Sequence, residues 1–142
     1  MEVSEVLIEK VKEFEGFRRD AYRDEAGVLT IGYGHTGRDV RVGDRLTTYG
    51  AEQLLLLDLA DAEVAVRRLG VARTQGQFDA LVSFVFNIGV KRLNRSTLLK
   101  VIREGGSKGQ ITREFKRWVY AGGKQLPGLV KRREWEARRF FE

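Results

Sequence analysis

Residues 78–88, FDALVSFVFNI, are apolar on nearly every side when wound as a helix. Such a helix has no face to offer water, so it is predicted to lie at the centre with the other segments packed around it. Ahead of it, Thr74-Gln75-Gly76-Gln77 has the spacing of a capping box, and Gly89 ends it. The 142 residues suit one domain, large enough to bury roughly 70% of its unfolded surface.

The segments around that helix read in a clear order. Val3, Leu7, Val11 and Phe14 recur at helical spacing, and Gly16 follows as a stop. From residue 18 to 46 the character changes. Gly27, Gly32, Gly34, Gly37 and Gly43 punctuate short runs such as Ala21-Tyr22-Arg23 and Val28-Leu29-Thr30-Ile31, and Val40-Arg41-Val42 alternates. A small antiparallel sheet of two or three strands is predicted there. Thr48 caps a long helix that runs to Leu69 and stops at Gly70. Ser96 caps residues 97–103, which Gly105-Gly106 ends. Another helix begins near Thr112 and carries Phe115 and Trp118 to Gly122-Gly123, and a last one follows Pro127 to about residue 141. The fold class is α+β, mostly helical. Two lobes are predicted within one domain, with a cleft between them of the kind that takes elongated ligands. The sheet lobe and connecting helix take in about residues 12–70, and residues 71–142 with the N-terminal helix form the helical lobe.

Composition removes several chemistries. There is no Cys, so disulfides and thiolate nucleophiles are excluded, and a single His makes a zinc site improbable. The formal net charge of +6 attracts anionic polymers: nucleic acid, an anionic membrane surface or bacterial wall. Residues 1–5, MEVSE, lack the basic start of a signal peptide. No apolar run approaches the ~18 residues of a membrane span. A soluble chain without stable membrane insertion is predicted.

One segment looks like a reaction centre. Glu15 stands between Phe14 and Phe17 at the end of the first helix, Asp24 in a polar turn, and Thr30 on a strand. A carboxyl group in an apolar setting keeps its proton more readily than in water, as a general acid for glycoside cleavage requires. A second carboxylate in a polar setting and a hydroxyl able to hold water complete a set suited to glycosidic hydrolysis.

The same residues resemble the phage-type lysozymes (endolysins, muramidases) of glycoside hydrolase family 24. The resemblance rests on Glu15, eight intervening residues, Asp24, five more, and Thr30. It continues through Thr30-Ile31-Gly32-Tyr33-Gly34-His35-Thr36, residues 77–84, and Phe86-Asn87-Ile88-Gly89. Ser96-Thr97-Leu98-Leu99, Trp118 with Ala121-Gly122-Gly123, and Gly128-Leu129 through Arg132-Arg133 and Glu136 extend it along the chain. It implies a lysozyme-like two-lobed fold. It also implies hydrolysis of the β-1,4 bond between N-acetylmuramic acid and N-acetylglucosamine in peptidoglycan, by an inverting route, leading to lysis. Glu15 would be the acid, Asp24 would activate or position the water, and Thr30 would hold it. Gly34, Thr36, Phe86, Asn87, Ser96 and Thr112 would meet substrate, with His35, Arg132 and Arg133 in support. No cofactor or metal is implied. The partner would be the glycan strand, met by a monomer held in the cytoplasm of an infected host until release to the wall. Thr36 departs from relatives that carry a larger apolar residue. Gly50, early in a helix, costs up to ~1 kcal/mol.

The bland readings are an ion pair for His35, core for Phe86 and Trp118, helix caps for Ser96 and Thr112, and a solvated basic face for Arg132 and Arg133. Asn87, polar after an apolar run, calls for a partner. Asn94-Arg95-Ser96 matches a glycosylation pattern by chance. The rival functions are a lytic transglycosylase, which needs only the acid, and an inactive module binding wall or nucleic acid, for which no nucleic-acid motif is present.

Overall fold

In the computed structural model, which describes residues 1–142, the chain runs as one helix, a three-stranded sheet and six further helices. Helix α1 (Glu5–Glu15) begins where the Ser4 hydroxyl accepts from the Leu7 amide at 3.2 Å. Strands β1 (Arg18–Arg23), β2 (Leu29–Gly32) and β3 (His35–Thr36) form an antiparallel sheet in that order. Tyr22 pairs with Thr30, and Thr30 with Thr36, while a bulge interrupts β1 between Arg18 and Tyr22.

The alternating Val40-Arg41-Val42 is not a strand. The Asp44 carboxylate accepts from the Arg41 amide at 2.8 Å and the Arg41 carbonyl accepts from the Asp44 amide at 3.1 Å. An aspartate bonding its own backbone offers the chain a turn in place of a sheet edge.

Helix α2 (Thr48–Leu69) is capped by Thr47, one residue earlier than the sequence suggested, since its hydroxyl accepts from the Gly50 amide at 3.0 Å. Helix α3 (Gln75–Ile88) is the central one. Nine of its fourteen residues are buried, which bears out a segment apolar on nearly all sides. Its capping box is only half closed. Thr74 accepts from the Gln77 amide at 3.1 Å, but the Gln77 carboxamide reaches back to Arg73 at 2.8 Å.

A short α4 (Val90–Asn94), not foreseen, leads to α5 (Thr97–Arg103), whose cap is Ser96. Helix α6 (Lys108–Lys116) starts before Thr112 because Ser107 and Gln110 make a complete capping box, at 2.8 and 3.2 Å. It also stops short of Trp118. In place of more helix come β4 (Tyr120–Ala121) and β5 (Lys124–Gln125). The two residues joining them, Gly122 and Gly123, have φ of +58° and +78°. Two successive positive φ values make the mirror-image turn that matches strand twist, and glycine adopts it without steric cost. Helix α7 (Pro127–Phe140) places Pro in its first turn, where no amide donor is needed.

Backbone contacts divide the chain into two units, residues 9–61, and residues 1–8 with 62–142. In the first, Val11, Ile31, Val40, Ala51, Leu55 and Leu59 are buried. In the second, α3 packs on α7, and edge-to-face rings link Phe84 to Phe115 at 5.9 Å and to Trp118 at 5.6 Å. Asp79, fully buried on α3, ties the chain ends together. It accepts from the Ser4 amide at 3.0 Å, the Ser4 hydroxyl at 2.5 Å, and Arg139 at 2.8 Å.

Charge is divided as unevenly as structure. Residues 9–61 carry eight Lys and Arg against eleven Asp and Glu, a net of −3. The other unit carries eighteen against nine, so its net of +9 exceeds the +6 of the whole chain. No helix is long and apolar enough to cross a membrane.

Candidate active site

Glu15 is the last residue of α1 and is half-buried. Gly34 lies in the turn from β2 to β3. A Cβ added to Gly34 would lie 2.7 Å from Glu15 Oε1, so the carboxyl group rests directly on the Gly34 backbone. The turn is held by aromatic contact. Tyr33 meets Phe17 with ring centroids 5.5 Å apart, and the Lys12 ammonium lies 5.7 Å from the Tyr33 ring. Lys12 is itself paired with Glu9 at 3.2 Å and Glu52 at 3.3 Å. Tyr33 entered the sequence reading only as part of the Thr30–Thr36 motif, and Lys12 not at all, because a helix lysine carries no chemical signal.

This contact gives a sharp expectation. Gly34 has φ of +78°, which costs an L-residue about 1–2 kcal/mol. The obstructing atom is the far end of a flexible side chain, so in Gly34→Ala the carboxyl group moves and the backbone stays. A displacement on the order of 1 Å costs about 10²-fold in rate. The variant should therefore melt only a few degrees lower yet lose most of its wall-lytic rate. An unchanged rate would mean that Gly34 does not set the position of Glu15.

Asp24 sits in the turn after β1. Its Oδ1 accepts from the Ala26 and Val28 amides, each at 2.9 Å, which orients the exposed group and leaves Oδ2 to solvent. Thr30 is buried, and its hydroxyl donates to the Val28 carbonyl at 3.0 Å. With that proton committed, Thr30 offers lone pairs only. The register sets Tyr22, Thr30 and Thr36 on one face of the sheet, with Asp24 two residues past Tyr22 at its end. Thr36 is exposed on that face.

His35 is an ion-pair centre. Nδ1 lies 2.8 Å from Asp58, and Nε2 lies 3.0 Å from Asp39. Both bonds need a proton on each ring nitrogen, hence the imidazolium. Burial opposes that charge, but the two carboxylates outweigh it and raise the His35 pKa. A raised histidine pKa stabilises the fold fully below the unfolded value of about 6.5, and that gain is lost as pH rises through the folded value. Melting temperature should therefore fall as pH rises from about 6 towards 9, and His35→Gln should flatten this slope. An equal slope in the variant would assign the dependence to other groups. No group of three or more His, Asp and Glu is placed to share a metal ion.

The remaining candidates belong to the unit of residues 1–8 and 62–142. Phe86 is half-buried and Asn87 exposed at the end of α3. Ser96 caps α5, accepting from Leu99 at 3.0 Å and donating to the Leu93 carbonyl at 2.6 Å. It also lines a hollow of about 290 Å³ with Arg95, Thr97, Glu114, Arg117 and Trp118. Trp118, read as core, is half-buried at this hollow. Thr112 is interior to α6 and lines a different hollow with Lys108, Lys116 and Arg138. Arg132 and Arg133 are buried, not a solvated face. Arg133 Nε lies 3.0 Å from Glu136 Oε1 and Arg132 Nε 3.7 Å from Glu136 Oε2.

Comparison with protein families matches residues 12–136 to the phage lysozymes. The chain is 41% identical to the endolysin of Acyrthosiphon pisum secondary endosymbiont phage 1, over 99% of this chain and 98% of that one. It is 42% identical to the endolysin of Bacillus phage B103 over 99% of its length, and spans about half (54%) of that relative. Among solved structures, the muramidase domain of SpmX from Asticaccaulis excentricus superposes with a TM-score of 0.89 at 36% identity, covering 99% of this chain and 98% of that one.

Proposed function

This chain belongs to the phage lysozyme family, and on that premise we propose that it is a lysozyme, a glycoside hydrolase that cleaves the β-1,4 bond between N-acetylmuramic acid and N-acetylglucosamine in peptidoglycan. The observation that carries the reading is the seat of the Glu15 carboxyl on Gly34, at the edge of the small sheet that also bears Asp24 and Thr30.

Glu15 protonates the departing glycosidic oxygen. Asp24, oriented through Oδ1 by two backbone amides, uses Oδ2 to take a proton from the attacking water. Thr30 accepts from the same water, since its own proton is committed to Val28. Water then attacks from the face opposite the leaving group, and the anomeric configuration inverts. Gly34, Thr36, Phe86, Asn87, Ser96 and Thr112 contact the glycan. The protein works as a monomer, waits in the cytoplasm of an infected bacterium, and lyses the cell on reaching the wall.

The test is a wall-clearing assay with analysis of the products. Hydrolysis by inversion gives new reducing ends, first formed as the α-anomer. Anhydro-sugar ends would identify a lytic transglycosylase, and salt-dependent binding without clearing would identify an inactive module. The +9 unit adds an expectation, because it draws the enzyme to an anionic wall. The Debye length falls from about 10 Å at 0.1 M salt to about 3 Å at 1 M. Clearing should slow several-fold over that range, and a rate indifferent to salt would refute the electrostatic approach.

A further inference from the structure

Four side chains of α3 and α7 form a network of which only Asn87 has entered the reading above, as a glycan contact. Ser83 and Asn87 are four residues apart on α3, and Arg133 and Glu136 are three apart on α7, so each pair shares a helix face. The Ser83 hydroxyl donates to Glu136 Oε2 at 2.5 Å. Glu136 holds Arg133 in turn, with Nε 3.0 Å from Oε1. The Arg133 guanidinium lies 5.0 Å from the Phe84 ring centroid and donates from Nη2 to Asn87 Oδ1 at 2.6 Å. Ser83, Arg133 and Glu136 are fully buried, whereas Asn87 is exposed. An expensive buried pair thus ends on one surface amide.

The chemistry of the donor fixes that amide. A guanidinium has five N–H donors and no acceptor. At 2.6 Å only the oxygen of Asn87 can face it, because its NH2 would set donor against donor. The NH2 therefore turns outward. A surface asparagine normally flips freely and serves as donor or acceptor; this one is held as a donor. Its partner must accept hydrogen bonds, and on an N-acetylated glycan the strongest neutral acceptor is the acetamido carbonyl.

We propose that Arg133 is a positioning residue that locks Asn87 as a hydrogen-bond donor to an acetamido carbonyl of the glycan. This rests on the reading of the chain as a glycan hydrolase, and it makes Asn87 a determinant of N-acetyl specificity. Ser83 and Glu136 act through Arg133.

The probes are tri-N-acetylchitotriose and cellotriose, both neutral β-1,4 trimers, the second with a hydroxyl where the first has an acetamido group. Binding of each to the full chain is titrated by NMR. Wild type should prefer the acetylated trimer by about tenfold, the order of one well-made hydrogen bond. Asn87→Asp keeps an oxygen for Arg133 but replaces the donor by an acceptor, so the preference should fall to near unity. Arg133→Lys keeps the charge without the planar fork, and should raise KM on peptidoglycan several-fold with kcat changed less than twofold. A tenfold preference surviving in Asn87→Asp overturns the proposal and leaves the hydrolase reading intact. Arg133→Lys with lowered stability but unchanged KM and preference makes Arg133 purely structural and also overturns it. Wild type that binds neither trimer and clears no wall removes the hydrolase reading, and this proposal with it.

Discussion

Glu15→Gln is expected to lower the rate of peptidoglycan hydrolysis by about 10²–10⁴-fold while leaving the fold unchanged. General acid catalysis contributes about 10²–10⁴-fold. An amide of the same size and shape cannot deliver a proton to the leaving oxygen. The residue lies half-buried at the end of α1, outside the apolar core, and Gln matches its size and keeps one side-chain oxygen. Gln fits the same seat on Gly34. The thermal midpoint should stay within a few degrees of wild type, and clearing of purified walls should be lost. A variant that melts normally and clears walls at an appreciable fraction of the wild-type rate would remove Glu15 from the mechanism.

Glu136→Ala is expected to have the largest effect on stability. Glu136 is fully buried and is the counter-charge for Arg133, whose guanidinium is also fully buried. Burial raises the carboxyl pKa and lowers the guanidinium pKa, and the opposite charge of each partner works against that shift. Ser83 supplies a further hydrogen bond. Removing one partner of a buried pair leaves the other charge uncompensated, which costs about 3–5 kcal/mol. For a chain of this size that lowers Tm on the order of 10 °C. Urea unfolding measures it directly as a shift in midpoint. A loss below about 1 kcal/mol would put this pair in the class of exposed ones, and would mean that water or a rearranged side chain replaces Glu136.

Several parts of the molecule were legible because they rest on local chemistry. The all-round apolar segment 78–88 became the buried helix α3 because a helix without a polar face has nowhere else to go. The glycine-rich stretch became a three-stranded sheet at about the expected place. The errors fell where two local signals competed. Val40-Arg41-Val42 had the alternation of a strand, but Asp44 captured its backbone in a turn. The Gly122-Gly123 pair was read as the end of a helix, when two adjacent glycines are equally a hairpin signal, and here the flanking residues pair as β4 and β5.

The sequence by itself determined the family, the mostly helical α+β class and the position of the candidate acid, because residue type and spacing along one chain carry that information. Only the tertiary structure decided that Arg132 and Arg133 are buried beside Glu136, and that Asn87 has one side of its amide taken. Each of these depends on which helix faces lie against each other. A lone arginine or asparagine has the same local propensity on a wet face as in a buried network, so its role is settled by partners tens of residues away.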